Sequence, residues 1–100
     1  MSDEQKKVKL QIEKVKLQLM KIEQMRPGNL NQQFRKPKEK LGEYYQLNYT
    51  FRGKTKTEHV KKENLENIRA ELAEYQKAKD LFLDWMELSI KLSKLKIKES

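Results

Sequence analysis

Several features are scarce or absent in this 100-residue chain, and each absence excludes a class of protein. There is no cysteine, which excludes disulfides, thiolate catalysis and cysteine-based zinc sites and fits a reducing compartment. With His59 as the single histidine, the chain cannot form a histidine cluster for a metal, and it has no glycine-rich phosphate loop or nucleophile elbow. No apolar run approaches the roughly 20 residues that a membrane span needs, and the lysine-rich start lacks the apolar segment of a signal peptide. We therefore expect a cytoplasmic, non-enzymatic protein without cofactor, metal or membrane contact.

Apolar residues are also few, at 36% of the chain against 38% charged residues. This length is typical of one small domain, so we expect a single domain with a thin core. Glycine and proline occur only between Pro27 and Gly53, which leaves two long segments free of helix breakers. Apolar residues recur in these segments at steps of three and four, so the pattern predicts helices over 4–26 and 63–98.

The middle of the chain alternates apolar and polar residues from Tyr44 to Phe51, which predicts a strand with one buried face. Arg52 and Gly53 can form a tight turn, and residues 55–60 can return as a second strand. We expect a basic loop over 27–42 and a β-hairpin over 43–60. A lone hairpin is marginal in water, so it must pack on the helices. The predicted fold is α+β: long helix, β-hairpin and long helix, with the helices packed as an antiparallel, coiled-coil-like pair.

Positive charge is concentrated in the middle of the chain. Residues 28–62 carry nine basic and three acidic side chains, whereas residues 63–100 carry seven basic and eight acidic ones. Such a patch suits a polyanion, and a basic ribbon can place Asn48, Thr50 and Thr57 against base edges in a major groove. The alternative is that these lysines only keep the surface solvated. The predicted nucleic-acid site, with DNA favoured over RNA, comprises Arg35, Lys36, Lys38, Lys40, Tyr44, Arg52, Gly53, Lys54, Thr55 and Lys56.

The second predicted helix has more apolar positions than a 23-residue partner helix can cover. We assign Trp85 to the core, on the stripe that faces the first helix. The remaining apolar side chains suggest a homodimer through the helices, or a protein-interaction module such as an accessory or inhibitory subunit. The predicted partner-binding residues are Phe82, Leu88, Leu92 and Leu95.

Several short motifs occur in order along the chain: Gly28-Asn29-Leu30, Tyr44-Tyr45, Leu47-Asn48-Tyr49, Gly53-Lys54-Thr55 and His59-Val60. Over roughly residues 20–95, this order resembles an uncharacterised family of short prokaryotic proteins, a domain of unknown function often found with transposons and other mobile elements. Many members carry a cysteine-rich knuckle where this chain has a cysteine-free stretch from Phe34 to Gly42. The hairpin also looks like the basic ribbon of integrase arm-binding domains. The resemblance to the family implies the topology and an association with mobile elements, and the likeness to the integrase ribbon favours nucleic-acid binding.

Overall fold

A computed structural model describes residues 2–100 and shows an α+β protein with two helices and one three-stranded antiparallel sheet. The α+β class and the order of helix, hairpin and helix are confirmed, with one strand added before the hairpin. Two compact units divide the chain, one of residues up to Glu23 with Lys77–Ser100, the other Gln24–Gln76. The elements are α1 (Asp3–Met20), β1 (Asn29–Lys36), β2 (Leu41–Phe51), β3 (Lys54–Val60), a short 3-10 turn (Lys62–Asn64) and α2 (Leu65–Glu99).

The basic loop expected over 27–42 is wrong for its first half, because residues 29–36 form strand β1. This strand pairs antiparallel with β2 from Asn29 opposite Asn48 to Lys36 opposite Leu41. Its amide-rich sequence has weak strand propensity, and pairing with the aromatic β2 supplies the stabilisation that propensity lacks. A short turn over residues 37–40 follows, in which the N–H of Glu39 donates to the carbonyl of Lys36 at 3.2 Å.

Helix α1 ends at Met20 rather than at residue 26. The backbone N–H of Lys21 turns back to the carbonyls of Gln18 and Leu19, which closes the last turn. From Gln24 to Gln76 the chain belongs to the unit that contains the sheet. There the Gln24 amide donates to Glu71 at 2.8 Å, and the Arg26 N–H donates to the Glu71 carbonyl at 3.2 Å. Gln24 and Arg26, which the apolar pattern assigned to the helix, therefore bind Glu71 instead.

The hairpin of β2 and β3 turns through Arg52 and Gly53, as the sequence predicts. Both residues have positive φ, 51° and 78°, which is the geometry of a two-residue turn that matches the twist of paired strands. The core of this unit is built on Leu47, which is fully buried at the centre of β2, with Val60 and Leu65. Half-buried apolar side chains surround it: Leu30, Tyr45, Tyr49, Ile68 and Leu72.

The other unit has its own small core on α1 and the later part of α2. Its buried apolar side chains are Val8, Ile12, Ala78 and Leu81. The side chain of Gln5 is also buried and donates to the Glu99 carboxylate. Two small cores, rather than one large one, account for a chain in which charged residues outnumber apolar ones.

Candidate nucleic-acid interface

The two faces of the sheet differ in chemistry, because one contains the apolar core residues and the other does not. Alternate residues of a strand point to opposite faces, so the register assigns every strand residue to one side. The packed face contains Leu30, Leu47 and Val60 and covers the core. We call the other side the open face. Its residues, in order along the three strands, are Asn29, Asn31, Gln33, Arg35, Tyr44, Gln46, Asn48, Thr50, Thr55, Thr57 and His59.

No carboxylate and no aliphatic side chain occurs on the open face. Both acidic residues of the strands, Glu43 and Glu58, lie on the packed side. The open face instead carries amides, hydroxyls, one guanidinium, one phenol and one imidazole. This combination offers hydrogen-bond donors and acceptors with a positive charge balance, which is what a surface for base edges and phosphates requires.

Hydrogen bonds across the strands order part of this face. The Thr57 hydroxyl donates to the Asn48 side-chain oxygen at 2.7 Å, and the Thr50 and Thr55 hydroxyls lie 3.0 Å apart. Both pairs join residues that stand directly opposite each other on β2 and β3. A polar side chain that is held in place loses less conformational entropy when it meets a ligand.

A row of three side chains crosses the sheet near the turn between β1 and β2. The Arg35 guanidinium lies 6.0 Å from the centroid of the Tyr44 ring, and that ring stacks on His59 at 6.2 Å with an interplanar angle of 27°. Gly42 makes room for this row, because a Cβ atom there would stand 2.9 Å from Arg35 Cβ. The stem of Arg35 therefore passes over the glycine to reach the tyrosine.

The ten residues predicted as the nucleic-acid site do not form one cluster. Arg35, Tyr44 and Thr55 lie on the open face. Lys36, Lys54 and Lys56 lie on the packed side. Four others lie in the two turns: Lys38 and Lys40 between β1 and β2, Arg52 and Gly53 between β2 and β3. These turns are at opposite ends of β2, about 33 Å apart for a strand that rises ~3.3 Å per residue.

The prediction missed four amide side chains on the open face, Asn29, Asn31, Gln33 and Gln46. The first three lie in the segment assigned to a loop, where no face could be inferred. A signal was present, because Leu30 and Phe34 stand at even positions between polar odd ones. That alternation continues the period of two expected for a half-buried strand.

The carboxylates of the packed side have partners of their own. Glu58 pairs with Arg26 at 2.5 Å, and the Arg26 guanidinium lies 5.2 Å from the centroid of the Tyr49 ring. A hydrogen bond from the Tyr49 hydroxyl, followed by the bond from Arg26, lowers the pKa of Glu58 below its usual value. The Tyr45 hydroxyl donates to Glu43, which raises the pKa of Tyr45. These contacts keep both negative charges engaged away from the open face.

On α2 the predicted partner-binding residues are exposed to different degrees. Phe82 is half exposed and stacks on Trp85 at 6.2 Å, whereas Leu88, Leu92 and Leu95 are half-buried. Trp85 itself is half-buried, and the Lys16 ammonium lies 5.2 Å from the centroid of its indole ring. More exposed apolar side chains lie at other positions, which we call the outer stripe of α2: Leu83, Met86, Ile90 and Ile97.

No protein-family model matches this chain, and no curated protein or solved structure shows significant similarity to it. The resemblance to the mobile-element family stays a prediction from the motifs. Within residues 2–100, no group of three or more acidic or histidine side chains is placed to hold a metal ion. Over the same residues, neither helix combines the length and the apolar content that crossing a bilayer demands.

Proposed function

We propose that this protein is a non-enzymatic nucleic-acid-binding protein that uses the open face of its sheet and the basic turns at both ends of β2. We also propose that it serves a prokaryotic mobile element, on the basis of the motifs. The observation that carries the proposal is the chemistry of the open face, which is lined by amides, hydroxyls and the guanidinium of Arg35. All the strand carboxylates lie on the packed side, and the open face has none.

Phosphate binding follows from the charge around this face. Residues 28–62 have a net charge of +6, and their lysines and arginines are exposed. Each basic side chain placed near a phosphate releases condensed counterions, so affinity falls steeply with salt. The strand lysines lie on the packed side together with the carboxylates, so lysines that keep the surface solvated do not account for the open face. A face lined by amides and hydroxyls between two basic turns favours binding over mere solubility.

The test is charge reversal on the open face and in both basic turns. Arg35, Lys38 and Arg52, which are exposed, change together to Glu, and retention of labelled DNA and RNA is measured at two salt concentrations. A matched control reverses Lys6, Lys7 and Lys94, which are exposed and belong to the other unit. Both variants change the net charge equally, so bulk charge cannot explain a difference between them.

We expect the sheet variant to lose retention at moderate salt and the control to keep most of it, because only the first loses phosphate contacts. Helical content by circular dichroism should be the same in both, since none of the six residues is buried. Equal retention by the sheet variant and the wild type would refute the proposal.

A second candidate function is a protein-interaction module on the helices. We infer that α1 and the later part of α2 run antiparallel, as the contacts of Ser2 and Gln5 with Glu99 support. The outer stripe of α2 favours this function, because its members are 54–73% exposed and recur at steps of three, four and seven. Sedimentation tests it: a dimer should appear at micromolar concentration, and Met86→Glu with Ile90→Glu should dissociate it. A 12.1 kDa species for the wild type would contradict a homodimer.

A further inference from the structure

We propose that the open face reads base edges in the major groove of duplex DNA, and that the side-chain amides of Asn31, Gln33 and Gln46 are its principal readers. This inference rests on the proposed function and deepens it. It assigns the specificity to residues that carry no charge. The basic turns then supply affinity but not sequence preference.

The three amides lie next to one another on neighbouring strands. Asn31 stands directly opposite Gln46, and Gln33 stands opposite Tyr44, one pair further along. Directly opposed side chains have Cβ atoms about 5 Å apart. Residues two apart on a strand are separated by ~6.8 Å, close to two base-pair steps of B-DNA. Amides on one strand therefore match base pairs that are two steps apart.

The chemistry of amides suits the major groove in particular. A side-chain amide carries both donors and an acceptor, and it can pair with N6 and N7 of adenine through two hydrogen bonds. The minor groove distinguishes few base pairs, so a surface rich in amides gains little there. On the open face, Asn29 and Asn48 add two further amides beside the central group.

The aromatic residues argue against single-stranded RNA as the main ligand. Sheets that bind unpaired bases use exposed rings as stacking platforms. Here Phe34, Tyr45 and Tyr49 lie on the packed side, and Tyr44 is the one ring from β2 on the open face. That ring is already stacked on His59. The sheet thus places mainly hydrogen-bonding groups where a nucleic acid would lie, and its two rings there, Tyr44 and His59, are stacked on each other.

The dimensions of the sheet also fit the major groove. Neighbouring strands are about 5 Å apart, and a groove about 12 Å wide admits a two-stranded ribbon. With β1 and β2 over the groove, Asn31, Gln33 and Gln46 face its floor and β3 lies near one phosphate rim. Long basic side chains at the ends of the sheet, such as Arg35 and Arg52, then lie within reach of phosphates.

The experiment begins with selection from a randomised duplex DNA library and, in parallel, from a randomised single-stranded RNA library. The selected duplex is compared with a scrambled duplex for the wild type, Gln46→Ala and Gln33→Ala. Gln32→Ala is the matched control, since Gln32 is the same residue type, one position away and on the other face. A further pair of probes carries 7-deazapurines, which remove a major-groove acceptor, or inosine, which removes a minor-groove donor.

We expect Gln46→Ala and Gln33→Ala to reduce discrimination between selected and scrambled duplex by about tenfold, the loss that one good base contact gives. Gln32→Ala should discriminate like the wild type, and the 7-deazapurine probe should bind more weakly than the inosine probe. Binding of duplex without sequence preference, or tighter binding of the RNA library, would overturn this inference and leave the proposed function standing. Failure to retain either library would overturn both.

Discussion

The packed and open faces of one sheet are built from the same three strands, yet they differ in burial and in the kind of side chain they contain. On the packed face, Leu47 is fully buried and packs in one core with Leu30, Val60 and Leu65. On the open face, one residue away along the same strand, Gln46 and Asn48 are half-buried among polar neighbours. The packed face determines whether the protein folds. The open face is free to vary chemically, so its consistent polarity without carboxylates requires an explanation other than stability.

The largest effect that tests this comparison is the removal of Leu47. Leu47→Ala deletes a fully buried side chain and leaves a cavity, so we expect a loss of about 2–5 kcal/mol in the free energy of unfolding. Gln33→Ala on the open face should change it by less than ~0.5 kcal/mol, since Gln33 is exposed. Chemical denaturation of both variants checks this. Similar losses for the two would show that the faces do not divide stability from binding.

A glycine immediately before β1 also tests the packed face. Gly28 has a φ of +134°, and a Cβ atom there would stand 2.8 Å from the carbonyl oxygen of Asn48 and 3.0 Å from Leu47 Cδ1. We expect Gly28→Ala to lower the free energy of unfolding by about 2–3 kcal/mol, through both backbone strain and steric overlap. The measurement is again denaturation.

Gly53→Ala is the control for Gly28→Ala, because Gly53 also has a positive φ but would meet no atom within 4 Å. It should cost about 1 kcal/mol, the strain of a left-handed residue alone. If the two alanine variants lost equal stability, the close approach of Gly28 to β2 would have no energetic role.

The packed face was largely predictable from sequence, and the open face was not. Alternation from Tyr44 to Phe51 and the Arg52-Gly53 pair gave β2 and its turn, because strand period and turn chemistry are local properties. Strand β1 escaped prediction because its amides and lysines have weak strand propensity, and its stability comes from pairing with β2. The end of α1 escaped for a similar reason. Ile22 continues the helical apolar period, but the residues that follow it, Gln24 and Arg26, form hydrogen bonds to Glu71, which is distant in sequence.

In the candidate site, too, local properties were predictable from the sequence and properties that depend on strand pairing were not. The basic residues were visible as a local excess of lysine and arginine, since charge can be counted without a fold. Which of them share a face depends on register, and register requires β1. Arg35 meets Tyr44 only because Gly42 stands between them, a relation across strands that the sequence shows as two separate motifs. Composition therefore indicated a partner class, and topology was needed to locate the surface.

The smallest expected effect concerns the ion pair beside the packed face. The hydrogen bond from Tyr49 and the pairing with Arg26 lower the pKa of Glu58 below its value of 4.5 in the unfolded chain. The Glu58 carboxylate therefore stabilises the fold above pH ~4.5 and loses that contribution as the pH falls through the lowered pKa.

Glu58→Gln should accordingly flatten the acid limb of the stability profile, measured as the free energy of unfolding from neutral pH into the acid range. The expected difference at neutral pH is under ~1 kcal/mol, because the side chain is 43% exposed and solvent screens the pair. Glu39→Gln, in the exposed turn between β1 and β2, controls for loss of one negative charge and should leave the acid limb as it is in the wild type. An unchanged acid limb in Glu58→Gln would mean that the pair with Arg26 contributes nothing to the packed side. The position of Glu58 on the packed side would then owe nothing to stability, which would strengthen the case that the absence of carboxylates from the open face serves binding.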